Sequence, residues 1–224
     1  MGCILKSMSE TSVLAAGDFS NWLSEMRHAL KNKAETDVPC GQCTACCTSS
    51  YFIHIKPTET DTLSHIPAEL LFPAPGMAEG NVLMGYDEKG HCPMLQNGAC
   101  SIYEHRPSTC RSYDCRIFPA TGVQISEKDK VHITQQVERW KFDFAQAEDL
   151  KEHQAVQKAA SFLKSKSRLF PSGELPGNAT QLATMAIKIF DLFLDESAEG
   201  VDDRKMTQSI LRAREEFDTK ADAD

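Results

Sequence analysis

The sequence lacks long hydrophobic runs and an excess of positive charge. No apolar run approaches the roughly 18 residues that a membrane-spanning helix needs. The 24 lysines and arginines are outnumbered by 32 aspartates and glutamates, which gives a net charge of −8. Because an acidic chain repels the phosphates of nucleic acids and of anionic lipids, we expect neither nucleic acid nor a membrane as a partner.

Signals for secretion and for lipid attachment are also missing from the N-terminal segment. The chain begins Met1-Gly2, but the sixth position, where N-myristoylation requires serine or threonine, is Lys6. The short apolar segment 12–16 follows Glu10, at a place where a signal peptide would carry basic residues. We therefore expect an unstructured, flexible N-terminus over residues 1–17 and a cytoplasmic protein.

Familiar enzyme motifs do not occur in the sequence. It has no glycine-rich phosphate-binding loop and no dinucleotide-binding fingerprint. It has neither the G-x-S-x-G motif of serine hydrolases nor the H-E-x-x-H motif of zinc proteases. These absences leave enzyme activity undecided and catalytic residues unknown.

Cysteine is nearly absent from the chain except in one region. Only Cys3 lies outside residues 40–115, which hold eight of the nine cysteines. In a reducing compartment, clustered cysteines are more often metal ligands or redox groups than disulfides. A disulfide scaffold and a set of buried free thiols are the alternatives, and both explain such dense spacing less well. The candidate metal ligands are Cys40, Cys43, Cys46, Cys47, Cys92, Cys100, Cys110 and Cys115.

The first four of these cysteines have the spacing C-x2-C-x2-C-C. Bacterial ferredoxins use a C-x2-C-x2-C triplet to present three thiolates to a [4Fe–4S] cluster. Cys46 and Cys47 are adjacent, and adjacent side chains lie about 100° apart in a helix and on opposite faces of a strand. We therefore do not expect both to bind one ion. Eight thiols can form two centres, or one centre with spare cysteines.

The identity of the metal is left open by these thiols, because thiolates suit both iron–sulfur clusters and zinc. The triplet spacing favours an iron–sulfur cluster, with [4Fe–4S] as the preferred form, in a redox or enzyme-supporting role. A zinc-binding structural or interaction module, whose helical C-terminal half docks a protein partner, is the main alternative. A third hypothesis is iron or copper handling by exposed thiolates.

Arginines beside Cys110 are candidate cofactor-binding residues. A thiolate-ligated centre is anionic, so the guanidinium groups of Arg106 and Arg111 would stabilise it and raise its reduction potential. The alternative is that these arginines pair with carboxylates such as Glu104 or Asp114.

Histidines in the same region could each replace a cysteine as a metal ligand. These are His54, His91 and His105. Because eight thiols already suffice for one or two centres, we expect the histidines to lie outside the ligand set.

The cysteine pattern and its surroundings resemble a known family. The run CGQCTACC at residues 40–47 is followed by CPML at 92–95 and by GACSIYEHRPSTCR at 98–111. Over roughly residues 40–118, these motifs are similar to those of the CxxCxxCC family of YkgJ-type cysteine-cluster proteins. The resemblance implies bound zinc or an iron–sulfur cluster, and Cys115 matches the pattern less firmly than the other seven cysteines. A similar motif in flagellin lysine methylases implies a route to enzyme activity.

The order of elements predicts an α+β fold that is mainly α. We expect an irregular, metal-stapled cysteine core with short β-hairpins, within a metal-binding domain over residues 18–125. A helical C-terminal region over residues 126–218 should pack on it. Asp18 should cap a helix that ends near Lys33.

Further elements follow from local signals. Short strands are expected at 51–55 and 82–86, and Asn97-Gly98 should form a tight turn. We expect mostly helix over residues 135–170, with Trp140 and Phe142 on that helix covering the metal core. Amphipathic helices are predicted at 178–194 and 202–217.

Overall fold

The structure is a computed structural model that describes residues 12–32, 34–36, 38, 41–126, 128–194 and 200–219. This part of the chain contains many helices and short, small sheets, so the predicted α+β, mainly α fold is confirmed. None of the helices among these residues is both long and apolar enough to cross a lipid bilayer. The strands are β1 (Leu14–Asp18), β2 (Ile53–Ile55), β3 (Leu71–Pro73), β4 (Val82–Met84), β5 (Leu95–Gln96), β6 (Ala99–Cys100) and β7 (Trp140–Asp143). The α-helices are α1 (Phe19–Asn32), α2 (Thr60–Ser64), α3 (Ser108–Arg111), α4 (Ile117–Thr121), α5 (Val131–Arg139), α6 (Ala147–Ser165), α7 (Ala179–Ile189) and α8 (Asp203–Thr219).

A short strand precedes the first helix, inside the segment that the sequence predicts to be unstructured. β1 pairs in parallel with β7, with Leu14 opposite Trp140 and Asp18 opposite Asp143. The chain then turns directly into α1, where the Asp18 carboxylate accepts a hydrogen bond from the Asn21 N–H at 3.0 Å. The predicted cap is therefore confirmed, because Asp18 satisfies one of the free N–H groups at the helix start.

The expected long helix over residues 135–170 is interrupted by β7. α5 ends at Arg139, and Trp140 and Phe142 lie on a strand, so the prediction that they share a helix was wrong. Their alternation with Lys141 suits a strand with one buried face, and pairing with β1 satisfies its backbone. α6 begins afresh at Ala147, where Gln146 and Asp149 form a reciprocal capping box.

The main hydrophobic core lies among α1, α4, α6 and α7, with β1 and β7 along one side. Phe19, Trp22 and Trp140 are almost fully buried in it. α7 starts as predicted, since Asn178 accepts a hydrogen bond from the Gln181 N–H at 2.8 Å. The C-terminal helices therefore supply most of the apolar burial that stabilises the fold.

The cysteine-rich half has little regular structure and a second, smaller core. β2, β4 and β3 form a three-stranded antiparallel sheet in that order, and β5 and β6 form a separate hairpin. The predicted turn at Asn97-Gly98 is confirmed, and both residues have positive φ, at 51° and 77°, as a type I′ turn requires. The buried residues of this core are Ile55, Ile66, Met84, Met94 and Ile102, with Cys92 and Cys100 packed against them.

Candidate metal centre

Short loops and turns, rather than long helices, position the cysteines. Cys46 and Cys47 begin a single 3₁₀ turn, Cys92 follows a tight turn, Cys100 ends β6, and Cys110 lies on α3. Pro107 stands immediately before α3, where its fixed φ suits the first turn of the helix. Such short elements gain little stability by themselves, so their arrangement depends on hydrogen bonds between segments.

Backbone hydrogen bonds join the first cysteine run to the segment that carries Cys92. The Cys92 N–H donates to the Cys47 carbonyl at 2.7 Å, and the Ser50 N–H donates to the Gly90 carbonyl at 2.9 Å. Gly90 has φ +79°, and a Cβ there would lie 2.3 Å from Ser50 Oγ. Glycine is therefore required at this close approach, which brings two distant cysteines side by side.

Five thiols from four segments of the chain lie near enough to influence one another electrostatically. Cys46 and Cys47 are joined by a hydrogen bond between their side chains. Cys92 and Cys110 are each affected by Cys46 and Cys100, and Cys110 also by Cys92. The structure thus brings Cys46, Cys47, Cys92, Cys100 and Cys110 together, as the spacing suggests.

The hydrogen bond between the side chains of Cys46 and Cys47 shifts the pKa values of the two thiols in opposite directions. The hydrogen bond from Cys47 lowers the pKa of the Cys46 thiol to about 7, although desolvation opposes the shift. The same bond raises the pKa of Cys47, because Cys47 keeps its proton while donating to Cys46. Cys46 is the thiol of this pair that ionises first and is the better immediate ligand.

Cys92 and Cys110 hold their protons more strongly than Cys46. Burial, together with the neighbouring Cys46, Cys92 and Cys100, raises the pKa of Cys110 to about 12. Burial also raises the pKa of Cys92, and Cys100 adds to the effect. A cation that binds here replaces these protons and removes the repulsion between thiolates, which is the behaviour of a metal site.

Two predicted ligands have other surroundings in the described structure, and a third lies outside the described residues. Cys115 is buried in the main core, and its Sγ accepts a hydrogen bond from Trp140 Nε1 at 3.2 Å. Cys43 lines a cavity of about 420 Å³ together with His132, Gln136 and Arg139. Cys40 lies outside the described residues.

The two predicted cofactor-binding arginines differ in their surroundings. The charge of Arg106 helps to lower the pKa of Cys46 and partly opposes the rise in the pKa of Cys110. Its guanidinium stacks 3.6 Å from the centre of the Tyr103 ring. Arg111 forms an ion pair with Glu35 at 2.6 Å, rather than with Glu104 or Asp114. Arg106 is therefore the arginine whose charge acts on the thiols.

The three histidines take part in other contacts. His54 Nε2 is hydrogen-bonded to Asn81 Oδ1 at 2.8 Å, and His105 Nδ1 contacts Asp61 Oδ2 at 2.7 Å. The backbone N–H of His91 donates to Asp87 at 2.8 Å in the turn before Cys92. The first two side chains are thus engaged with an amide and a carboxylate.

Polar residues that the sequence does not single out connect the cysteine run to α5. Ser49 Oγ donates to the Ala45 carbonyl at 2.7 Å and accepts from the Ile133 N–H at 3.1 Å. Lys130 Nζ donates to the carbonyls of Ser49 and Ser50, and lies 4.4 Å from the centre of the Tyr51 ring. No local spacing could reveal these contacts, because they join residues about 80 positions apart.

A buried ion pair holds the segment that follows Cys110 in place. Asp114 pairs with Arg116 at 2.8 Å and accepts a hydrogen bond from Trp22 Nε1 at 2.9 Å. Arg116 also donates to the Ala16 carbonyl at 3.1 Å, so the chain that follows Cys110 is anchored to β1 and α1. A buried pair with this many hydrogen bonds holds both charges without an unsatisfied group.

The comparisons with known proteins agree with this geometry. The model of the CxxCxxCC family, described as a putative zinc- or iron-chelating domain, matches residues 39–137. No curated protein and no solved structure matches the chain. The matched segment begins at the cysteine run and ends within α5, the helix that is hydrogen-bonded to that run through Ser49. Over residues 39–137, the chain is therefore similar to the CxxCxxCC family, whose model describes a metal-chelating domain.

Proposed function

We propose that the thiol group holds an iron–sulfur cluster, with [4Fe–4S] as the preferred form, in a redox or enzyme-supporting role. The observation that carries this proposal is the convergence of Cys46, Cys92, Cys100 and Cys110 from four separate segments. Four thiolates are the usual ligand set of such a cluster.

The lack of a close trio of cysteine sulfurs among the described residues favours a cluster over a single zinc ion. Zinc binds thiolates at about 2.3 Å, which brings four sulfurs to roughly 3.8 Å from one another. In the part of the chain that the structure describes, one group of three candidate ligands has all its donor atoms within 4.8 Å, and it contains no cysteine. A four-iron cube carries one thiolate on each iron, so its ligands are spaced more widely.

The ligand set that we propose is Cys46, Cys92, Cys100 and Cys110. Cys47 then donates a hydrogen bond to the Cys46 sulfur instead of binding iron, in keeping with the pKa values of the pair. Hydrogen bonds to cluster sulfurs and nearby positive charge raise the reduction potential, so Cys47 and Arg106 would both have that effect. Cys40 and Cys43 remain candidate ligands of a second centre, and Cys115 is assigned to the core.

The test is the visible spectrum of anaerobically purified protein and of matched variants. We expect a brown protein whose visible absorbance bleaches when dithionite supplies one electron to the oxidised cluster. Cys92→Ser and Cys110→Ser should remove the absorbance, whereas Cys115→Ser should retain it. Cys47→Ser should retain the cluster with a shifted reduction potential. A colourless wild-type protein, or a Cys110→Ser variant with the wild-type spectrum, would contradict the proposal.

A zinc-binding structural or interaction module is the second candidate, because the family description names zinc alongside iron. It predicts a colourless protein that contains stoichiometric zinc and unfolds locally when the zinc is removed. Iron or copper handling predicts instead that a chelator exchanges the ion without unfolding the chain.

A further inference from the structure

A second group of metal-ligand residues lies outside the thiol group, on α2 and on the turn that precedes α3. Asp61, His65 and His105 each offer a ligand atom, and these atoms all lie within 4.8 Å of one another. His105 Nδ1 is 2.7 Å from Asp61 Oδ2, and His65 Nδ1 is 3.9 Å from Asp61 Oδ1. Distances of this size suit three ligands of one small ion, each about 2.0–2.2 Å from it.

The group depends on the fold, because its members come from two separate segments. Asp61 lies on α2 and His65 caps its C-terminal end four residues later, about one helical turn away, so their side chains share a face. His105 ends the 3₁₀ turn Tyr103–His105, more than 40 residues away. Glu59 holds these segments together: its carboxylate accepts from the Lys56 N–H at 2.9 Å and from the Ser108 N–H at 2.6 Å.

The chemistry of these donors differs from that of the thiols. The hydrogen bond from His105, followed by the charges of His65 and Arg111, holds the pKa of Asp61 below its ordinary value, so its carboxylate is ionised at neutral pH. Two imidazoles and one carboxylate are borderline and hard ligands, and they suit divalent zinc or iron and their neighbours in the first transition series. A two-histidine, one-carboxylate set leaves further coordination positions open.

One rearrangement is needed before these residues can bind an ion. The rings of His65 and His105 are stacked, with centroids 3.6 Å apart and planes 8° from parallel. Parallel rings cannot both direct a nitrogen lone pair at the same point, so one ring must turn about its Cβ–Cγ bond. Both side chains are 39% exposed, which makes this rotation inexpensive.

We propose that Asp61, His65 and His105 form a second metal site, which binds one divalent transition-metal ion through nitrogen and oxygen atoms. The site is independent of the thiol group, since no cysteine contributes to it. Its ion has open positions for water or for a ligand with an oxygen donor. The chain then carries a soft thiolate centre and a separate borderline centre in one half of the fold.

The experiment is a titration of the purified full-length protein with Zn²⁺, followed through the imidazole nitrogen signals by ¹H–¹⁵N NMR. We expect the ring signals of His65 and His105 to shift together in one saturable event. Asp61→Asn should weaken that event by about tenfold or more, since even residues that only support a ligand have effects of this size. In His65→Gln and in His105→Gln, the signal of the remaining histidine should no longer shift.

The matched control is His28→Gln, which changes another exposed histidine, on α1, and should leave the event unchanged. Zinc taken up with no change in the His65 and His105 signals would overturn this site. So would an Asp61→Asn variant that binds as tightly as the wild type. Neither result bears on the thiol group, whose metal is identified by its own spectrum.

Discussion

Arg116 is a buried cation that pairs with the buried carboxylate of Asp114. Replacing Arg116 with alanine leaves the Asp114 charge buried and uncompensated, which should lower the free energy of unfolding by about 3–5 kcal/mol. Urea unfolding monitored by circular dichroism measures this change. The control is Arg214→Ala, because Arg214 pairs with Glu174 at a partly exposed position and should cost no more than about 1 kcal/mol. Equal losses of unfolding free energy in the two variants would contradict the role of Arg116 as the partner of a buried charge.

Residue-scale features of the site could be inferred only in part from the sequence. The spacing from Cys40 to Cys110 indicates metal binding, since it places chelating pairs along short turns. The separation of Cys115 from the other thiols could not be foreseen, because it depends on Trp140, which reaches Cys115 through the β1–β7 pairing. The contact of His105 with Asp61 likewise joins residues that no local pattern connects.

The β5–β6 hairpin carries Cys100, and its turn requires glycine at position 98. Gly98 has φ +77°, and a Cβ added there would meet no atom of the described residues within 4 Å, so Gly98→Ala adds backbone strain without a clash. We expect a loss of about 1–2 kcal/mol in the free energy of unfolding. Gly177→Ala is the matched control, because Gly177 has equal space and no positive φ. The stability of Gly177→Ala should change little or rise slightly. Thermal unfolding of both variants measures the difference, and equal stabilities would contradict the prediction.

The junction of α6 with α1 should depend on pH through Asp149. Ser20, whose backbone N–H donates to Asp149 at 3.2 Å, and then the Gln146 N–H at 2.7 Å hold the pKa of Asp149 below its ordinary value. A carboxyl with a lowered folded-state pKa stabilises the fold above its unfolded pKa, and loses that effect as pH falls through the folded pKa. The stability difference between wild type and Asp149→Asn should therefore shrink from neutral pH to about pH 3. Chemical unfolding at each pH measures this difference in the free energy of unfolding. A difference that stays constant across the range would contradict the role of Asp149.

At the scale of elements, local signals gave correct predictions and long-range pairing did not. α1 and the Asn97-Gly98 turn follow from apolar periodicity, a capping aspartate and turn chemistry, all within a few residues. β1 could not be predicted in the same way, because its partner lies about 125 residues away and the two strands pair in parallel. The alternation at Trp140 and Phe142 was a usable strand signal that the helical composition around it concealed.

The molecule has two hydrophobic cores of different size, and this difference predicts how the fold responds to loss of the metal. The cysteine-rich half relies on a small core around Ile55 and Met84, whereas the helical part has a much larger one. Removing the metal should therefore raise hydrogen exchange in residues 41–112 while α6 and α7 stay protected. Exchange measured by mass spectrometry before and after chelation tests this. A uniform increase along the chain would show that the two parts unfold together.

The division into a metal-binding domain over residues 18–125 and a helical region over 126–218 stays a prediction. Contacts of β1 and α5 join residues on the two sides of this boundary. β1 pairs with β7, and α5 is hydrogen-bonded to Ser49. Composition alone suggested the boundary, since it marks where the cysteines end. The contacts explain why a helix beyond that boundary still belongs to the site.

The central claim is that the thiol group holds an iron–sulfur cluster, and its most direct test is elemental. Iron, acid-labile sulfide and zinc should be measured together on anaerobically purified protein. The account predicts about four irons and four sulfides per chain for one [4Fe–4S] cluster, and their joint loss in Cys110→Ser. One zinc per chain without sulfide would contradict it.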